Sequence, residues 1–335
     1  MRFGYRDVCL SHDAGPRHPE RPDRLRAIRR ALARQHSVTY ADPDDATVEE
    51  VCAVHDDAYV DSVREFCEDG GGQWDPDTVA VETTWDAALA SAGIARWAAH
   101  EALDGADGWD TPFSLGRPPG HHAVYDDAMG FCFFNNAAVA AQSALDRVDR
   151  VAIFDWDVHH GNGIQDIFYE RGDVHYTSIH ERGLYPGTGH PDEIGRDDGE
   201  GTTLNLPLPA GSGDVEYAYA VDEALRPALE RFDPGLLLVS AGFDAHERDP
   251  ISRMRVSSEG YAMLADRVRA LSTDLDAPLA FVLEGGYGLE SLAESVATVH
   301  EVFEGRDPVE PEGEVIEKAR TVVGTAREHH GLGSK

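Results

Sequence analysis

The segment from Phe154 to Gly163 carries the residue types and spacing best suited to chemistry. It reads Phe-Asp-Trp-Asp-Val-His-His-Gly-Asn-Gly and follows an apolar run, as a buried strand entering a glycine-rich turn would. Because strand side chains alternate between faces, Asp155, Asp157 and His159 are predicted to lie on one side. Two carboxylates and an imidazole there are typical of a metal site, since a buried carboxylate without a partner is costly. A solvated acidic loop is the alternative interpretation.

A third candidate ligand, Asp244, follows another apolar run and the pair Gly242-Phe243. With Asp157 and His159 it completes a set of three predicted metal ligands, which leaves a coordination position open, as catalytic sites do. Mixed oxygen and nitrogen ligands suit Zn²⁺, although Fe²⁺ or Co²⁺ would also fit. Taken alone, Asp244 could instead be a helix N-cap or a loop acid.

Two adjacent histidines, His121 and His122, follow a Pro-Pro-Gly turn that would hold them rigidly. Histidine can accept and donate protons near neutral pH, as a metal-activated water and a departing amine require. Asp155 and Asn162 are the predicted partners that orient the two rings. Because one partner is anionic and the other neutral, the two histidines should differ in basicity. A surface histidine pair is the alternative, and His160 is interpreted as structural.

Tyr287 follows two glycines, which permit a sharp turn and a close approach of the backbone. A phenol aimed at a metal-bound carbonyl would stabilise a developing oxyanion, although a buried tyrosine is more often part of a core. Phe131 is predicted to be either a pocket wall or core. Pro186–Gly189 is interpreted as a shaped loop beside the pocket, and Cys132 as a buried thiol.

The elements that must position these residues alternate along the chain. Apolar runs predict strands at Thr111–Leu115, Val151–Asp155, Val174–Ile179, Leu236–Ser240 and Leu279–Leu283. Helical periodicity predicts helices at Trp85–Leu103, Asn136–Val148, Asp214–Phe232, Ser257–Leu271 and Leu289–Phe303. This alternation predicts an α/β fold with a mostly parallel sheet between helices. The candidate residues follow four of these strands, where ligand sites of such sheets lie.

The amino-acid composition indicates the conditions in which the protein works. There are 62 acidic residues against 29 basic ones, a formal net charge of −33, and only Lys318 and Lys335 are lysines. Such a surface would repel nucleic acid and anionic membranes, and it is typical of adaptation to a salt-rich cytoplasm. The four cysteines show no metal-type spacing, and no apolar run is long enough for a membrane helix. We therefore expect a soluble, cytoplasmic protein.

Taken together, these motifs resemble the zinc-dependent histone deacetylase family, which includes acetylpolyamine amidohydrolases and acetoin-utilisation proteins. The resemblance is carried by His18–Pro22, Arg117–His122, Gly130–Cys132, Asp155–Gly163, Tyr185–Gly189, Ser240–Asp244 and Leu283–Tyr287. It is closer to the class II branch, where Asn162 stands in place of an Asp usual in class I. It implies the arginase/deacetylase fold, with a catalytic domain at 1–305. Residues 306–335 would be a charged, loosely held C-terminal extension.

By this resemblance, the three predicted ligands bind zinc, His122 is the general base and acid, and His121 assists electrostatically. Tyr287 would bind the carbonyl of the acetyl group. The residues implied for the acyl-lysine tunnel are Gly130, Phe131 and Tyr185. Family members also bind K⁺, and the residues implied for this are Asp155, Asp157, His159, Ser178 and Ile179. Arg21 resembles an arginine of an internal channel for acetate.

The resemblance predicts a hydrolase that removes acetyl groups from protein lysines. Acetylpolyamine hydrolysis is the alternative, but Ile251 occupies the position of a glutamate that selects polyamines in one branch of the family. A non-catalytic acetyl-lysine binding module is the alternative from a different class. An arginase-like ureohydrolase is rejected, because its second metal needs an Asp where Gly161 stands.

Overall fold

Parallel strands form the centre of the molecule, for which a computed structural model describes residues 1–105 and 111–333. In chain order the strands are β1 (Arg2–Gly4), β2 (Thr39–Ala41), β3 (Gly71–Gln73), β4 (Val79–Val81), β5 (Pro112–Ser114), β6 (Val151–Asp155), β7 (Val174–Glu181), β8 (Thr203–Leu208), β9 (Leu236–Ala241) and β10 (Leu279–Leu283). Among these residues, β3 and β4 form an antiparallel pair, and the other eight form one sheet in the order β2-β1-β5-β10-β9-β6-β7-β8. All neighbours in the larger sheet are parallel.

Helices cover both faces of this sheet. They are α1 (Asp23–Leu32), α2 (Val48–Cys52), α3 (Asp57–Glu68), α4 (Thr84–Asp104), α5 (Asn136–Ala144), α6 (Asn162–Phe168), α7 (Asp214–Ala220), α8 (Arg226–Phe232), α9 (Ser258–Asp274), α10 (Leu289–Phe303) and α11 (Glu317–His329). Alternate strand residues belong to different hydrophobic clusters, as Leu237 and Leu238 of β9 show. Strands covered on both faces explain the continuous apolar runs of the sequence. The predicted α/β fold with a flanked parallel sheet is confirmed.

The order of the strands brings the candidate residues together. β5, β10, β9 and β6 are consecutive neighbours in the sheet. The loops that follow them begin at residues 115, 284, 242 and 156. Because parallel strands end at the same edge, these four loops meet beyond the carboxyl ends of the strands.

Two differences from the predicted elements have clear causes. The helix predicted at Asp214–Phe232 is interrupted by a π-helical turn at Val221–Leu225, next to Pro227, which has no N–H to donate to the preceding turn. Strand β8 was not predicted, because Asn205 and Pro207 break its apolar pattern. It is an edge strand of the sheet, where proline is tolerated.

The expectation that the C-terminal segment is loosely held is wrong for α11. This helix packs against β8, and its apolar positions Ala319, Val322, Val323 and Ala326 are buried. The sequence is strongly charged there, but residues at helical spacing form a narrow apolar stripe that the charge count conceals. Residues 334–335 of the extension lie outside the described residues. In the described ranges, none of the helices has the length and hydropathy needed to cross a membrane.

Candidate active site

Three buried side chains from two loops form the predicted metal-ligand cluster. Asp157 and His159 follow β6, and Asp244 follows β9. Each offers a ligand atom, and these atoms lie within 4.8 Å of one another. His159 Nδ1 lies 2.9 Å from Asp157 Oδ1 and 3.2 Å from Asp244 Oδ2. The structure therefore brings the three predicted ligands together.

The surroundings of the cluster fit a bound cation. Asp244 Oδ2 is buried, and within the described part of the chain it has no hydrogen-bond partner. Two glycines leave space beside the carboxylates: a Cβ at Gly242 would lie 1.9 Å from Asp157 Oδ2, and one at Gly285 would lie 2.2 Å from Asp244 Oδ2. A buried carboxylate oxygen that accepts no hydrogen bond is costly, and a divalent ion on an oxygen, nitrogen and oxygen donor set would satisfy it.

The imidazole of His159 and the nearby ring of His121 oppose the charge of the two carboxylates. Burial and the neighbouring Asp157 carboxylate raise the pKa of Asp244 to about 6. Burial lowers the pKa of His159, but the adjacent carboxylates of Asp157 and Asp244 outweigh this and raise it to about 10. A protonated imidazole thus holds two carboxylates together, which is the electrostatic role that a metal cation can take.

The two predicted catalytic histidines have different partners. His121 Nδ1 donates to Asp155 Oδ2 over 3.0 Å, whereas His122 Nδ1 donates to Asn162 Oδ1 over 2.8 Å. The two rings lie 4.0 Å apart between centroids. Asp155 thus faces His121, while Asp157, two residues further on, belongs to the ligand cluster. The predicted pairing of each histidine with its own partner is what the structure shows.

Because of these partners, the two histidines have different pKa values. Burial lowers the pKa of His121, but the charges of Asp157 and Asp155 outweigh burial and raise it to about 10. Burial and the charges of His121 and His159 hold the pKa of His122 well below its usual range. At neutral pH, His121 is therefore a cation and His122 is a neutral ring that can accept a proton.

Asn162 sets which nitrogen of His122 is free. Its amide nitrogen lies 3.4 Å from the carbonyl oxygen of His122 and 3.3 Å from the sulfur of Met129. These contacts turn its oxygen towards His122 Nδ1, so that Nδ1 carries the proton and Nε2 has a lone pair. His122 is therefore oriented as a base through Nε2.

Aromatic rings stand on two sides of this centre. The ring of Tyr185 lies 5.1 Å from that of His122, and the ring of Phe131 lies 5.7 Å from that of Tyr287. Gly130 has a φ of +56°, and a Cβ there would lie 2.4 Å from a carbon of His122. Gly130 is thus required both for its left-handed backbone and for the approach of His122. The structure brings together the residues implied for the tunnel.

The loop that carries Tyr185 is held by two other histidines. His160 Nδ1 lies 2.8 Å from Thr188 Oγ1, and His180 Nε2 lies 3.1 Å from the carbonyl oxygen of Gly189. His160 also contacts Gln165 and lies outside the metal-ligand cluster. Its structural interpretation agrees with these contacts.

Asp249, which the sequence analysis did not single out, fixes the loop that carries Tyr287. Its carboxylate accepts from the backbone nitrogens of Tyr287 at 2.7 Å, Gly288 at 2.9 Å and Ile251 at 3.0 Å. Ile251, half-buried, is therefore tied to the loop of Tyr287. The only signal in the sequence was the position of Asp249 within the polar run after Asp244.

The arginine beside this loop is Arg24 and not Arg21. Arg24 is fully buried, and its guanidinium carbon lies 5.0 Å from the centre of the Tyr287 ring. Arg21 is half-buried. The channel role implied for Arg21 stays a prediction, and Arg24, which lies outside the motif His18–Pro22, is the arginine that contacts the loop of Tyr287.

The residues implied for potassium lie on adjoining strands. Asp155, the last residue of β6, pairs in register with Ser178 of β7. Ser178 and its neighbour Ile179 are fully buried, and Ser178 Oγ contacts His180 Nδ1 at 2.9 Å. The potassium site itself stays a prediction.

The comparisons with known proteins agree with this geometry. The histone deacetylase domain model matches residues 18–303. A probable deacetylase of Methanothermobacter thermautotrophicus is 43% identical over 88% of this chain and 88% of its own. The chain belongs to the histone deacetylase family.

Solved structures share the fold closely. The HDA15 HD domain superposes with a TM-score of 0.89 at 35% identity, over 98% of this chain and 96% of that one. An acetylpolyamine aminohydrolase from Burkholderia pseudomallei gives a TM-score of 0.81 at 33% identity, over 91% of this chain and 99% of that one. The expected deacetylase fold is thereby confirmed.

Proposed function

We propose that this protein is a metal-dependent hydrolase of the acetyl amide of N-acetyl-lysine in proteins. The observation that carries the proposal is the pairing of a neutral, oriented His122 with a buried three-ligand cluster. His122 lies 5.8 Å from the ring of His159, one of those ligands. A base beside a cation site is the arrangement that amide hydrolysis by water needs.

Asp157, His159 and Asp244 would hold the metal, which we propose to be Zn²⁺, with Fe²⁺ or Co²⁺ as alternatives. Bound there, it would polarise the acetyl carbonyl and make a water molecule more acidic. K⁺ is proposed at Asp155, Asp157, His159, Ser178 and Ile179.

The chain itself supplies the proton transfers. His122 Nε2 takes the proton of the attacking water, because Nδ1 is already occupied by its bond to Asn162. Cationic His121, anchored on Asp155, stabilises negative charge that develops beside it. His122 then returns the proton to the departing lysine amine, which leaves as the neutral or protonated amine rather than an unstable anion.

Tyr287 completes the stabilisation of the reacting carbonyl. Its phenol donates to the oxygen as negative charge develops, and burial holds the pKa of this phenol well above its usual range, so the proton is present at neutral pH. Phe131 and Tyr185 form walls that enclose the acyl-lysine chain and exclude water. Gly130 provides room for that chain beside His122.

Two proposals differ in the substrate that the enzyme hydrolyses. Ile251 offers no charge to a polyamine, which favours acetylated protein lysine. The likeness to the aminohydrolase structure from Burkholderia pseudomallei favours the alternative, an acetylpolyamine amidohydrolase. We further propose a cytoplasmic, salt-adapted enzyme that does not bind nucleic acid, with a catalytic domain at 1–305.

The test compares an acetyl-lysine peptide with N-acetylspermidine, both in molar KCl with added Zn²⁺. We expect a higher kcat/KM for the peptide, whereas a higher value for the polyamine would support the alternative. His122→Ala, with its metal content checked, serves as the inactive control. If metal-loaded wild-type protein turns over neither substrate but binds the peptide, the result would support the acetyl-lysine binding module instead.

A further inference from the structure

The buried carboxylate of Glu20 binds two arginines: Arg24, four residues further along the chain, and Arg117, which lies in a distant loop. Glu20 accepts from Arg117 Nε at 2.6 Å and Nη2 at 2.5 Å, and from Arg24 Nη1 at 3.0 Å. All three side chains have 0% of their surface exposed. Burial would raise the pKa of Glu20, but the charge of Arg117, the contact with His12 and the charge of Arg24 hold it well below its usual range. Glu20 is therefore an anion at the centre of a buried network.

One arm of this network ends at Tyr287. Arg24 Nε donates to the carbonyl oxygen of Gly286 at 2.7 Å, and its Nη2 donates to that of Glu284. The same guanidinium lies beside the Tyr287 ring. The backbone immediately before Tyr287 is thus held by an arginine that Glu20 orients.

The other arm ends at the catalytic histidines. Arg117 lies near the start of the loop that carries His121 and His122, and its Nη1 donates to the carbonyl oxygens of Cys9 at 2.6 Å and His12 at 3.0 Å. Its two remaining nitrogens are taken by Glu20. The starting point of the histidine loop is therefore fixed by the same carboxylate.

The two arms also meet through Glu284. Its carboxylate accepts from the backbone nitrogens of Gly120 at 2.7 Å and His121 at 3.2 Å, while Arg24 holds its carbonyl oxygen. The loops of the histidines and of Tyr287 are therefore connected in a closed circuit.

Stability alone does not explain this arrangement. A buried pair of charges contributes little net stability compared with apolar side chains of similar volume, and two guanidiniums on one carboxylate leave an excess positive charge. The network connects the loop of Tyr287 with the loop of the two histidines.

We propose that Glu20 is a positioning residue, which holds Tyr287 and the histidine loop in register through Arg24 and Arg117. It touches no reacting atom. The inference rests on the proposed function, because the register matters only if a carbonyl lies between Tyr287 and His122.

The test is Glu20→Gln, which keeps the size of the side chain and removes its charge. An amide oxygen at the position of Oε1 can still accept from Arg24 Nη1 and Arg117 Nε, but the amide nitrogen is itself a donor and cannot accept from Arg117 Nη2. The substitution therefore removes the charge that holds the two guanidiniums together and breaks one side of the Arg117 pair. We expect kcat to fall about 10- to 100-fold with a smaller change in KM. In a Tyr287→Phe background the same substitution should cost less than in the wild type, because the part of its effect that passes through the phenol is already lost. Equal losses in both backgrounds would overturn the proposal.

The control is Glu216→Gln. Glu216 is also buried and accepts from two backbone nitrogens, those of Gly213 and Ile316, but it lies on α7. The Glu216→Gln variant should have a lower free energy of unfolding and an unchanged kcat. If Glu20→Gln does not fold, Glu20→Asp keeps the charge while shortening the reach, and we expect the same coupling to Tyr287.

Crystal structures separate this inference from the proposed function. If wild-type protein with metal hydrolyses no acetylated substrate, the proposed function fails, but the position of Tyr287 can still be compared. A displaced Tyr287 ring in Glu20→Gln supports the positioning role. An unmoved ring and an unmoved histidine loop would contradict it.

Discussion

At the scale of single residues, the two histidines are distinguished by what each Nδ1 touches. An aspartate and two nearby carboxylates make His121 a cation, whereas an amide leaves His122 neutral. This division follows from the identities of Asp155 and Asn162, so it could be predicted from the sequence. The distances that make it effective could not be, because they depend on a turn of chain more than thirty residues away.

Replacing Asn162 by Asp should change the pH dependence of the reaction. A carboxylate on Nδ1 favours the protonated ring and so raises the pKa of His122. Because the base must be unprotonated, the acidic limb of kcat/KM should move to higher pH by about 1 unit or more.

Gln142→Glu is the matched control, since it adds a carboxylate on α5 beside Arg171. It should leave the acidic limb where it is. A limb that does not move in Asn162→Asp, or moves to lower pH, would remove His122 from the role of base.

Tyr287→Phe removes the phenol and little else. We expect kcat to fall about 10²- to 10³-fold, since one donor to the developing oxyanion is lost. KM and thermal stability should change little, which circular dichroism melting would check. An unchanged kcat would contradict the role of the phenol.

At the scale of elements, a buried histidine connects the start of α5 to the loop between α2 and α3. His55 Nδ1 donates to the carbonyl oxygen of Val124 at 2.9 Å, and its Nε2 accepts from the backbone nitrogen of Asn135 at 2.9 Å. A proton on Nε2 would break the second bond. Burial lowers the pKa of His55 to about 4. No pattern in the sequence indicated this role, because both partners are backbone atoms.

This histidine predicts a loss of stability in acid. The unfolded chain binds a proton near pH 6.5 and the folded one only near pH 4, so the unfolded state binds more protons between these values. The stabilisation is complete above pH 6.5 and is lost as pH falls towards 4. The free energy of unfolding should fall by on the order of 3 kcal/mol over this range.

Urea unfolding from pH 7.5 to pH 4.5 in molar KCl measures this effect. The free energy of unfolding of the wild type should fall with pH, and that of His55→Gln should fall less. Equal slopes for the two proteins would contradict the assignment to His55.

The elements that position the site were predictable to different degrees. Strands β6 and β10 and helix α10 have the predicted bounds, because their apolar patterns are continuous. Strands β1 and β2 have three residues each and are too short to show a pattern. Helix α11 was concealed by its charges.

At the scale of the whole molecule, charge is the dominant feature. A net charge of −33 distributed over one compact sheet and its helices repels itself, and nearly all the basic residues are arginines. Composition alone predicts this, since self-repulsion depends on total charge more than on the position of each group.

The melting temperature should therefore rise with KCl. Most of the rise should occur between 0.1 M and 1 M, as the Debye length falls from about 10 Å to about 3 Å. Differential scanning calorimetry in a KCl series measures it, with sucrose as an uncharged control. A melting temperature that is constant or falls over this range would contradict the argument from charge.

The most direct test of the central claim is a metal titration of the chelator-treated protein. Acetate release from an acetyl-lysine peptide is measured as Zn²⁺ is added in fractions of an equivalent, alongside bound metal. We predict that activity is absent at first, rises linearly and stops at one equivalent per chain, and that Asp244→Ala neither binds this ion nor turns over. Full activity in the metal-free protein, or in Asp244→Ala, would contradict the account.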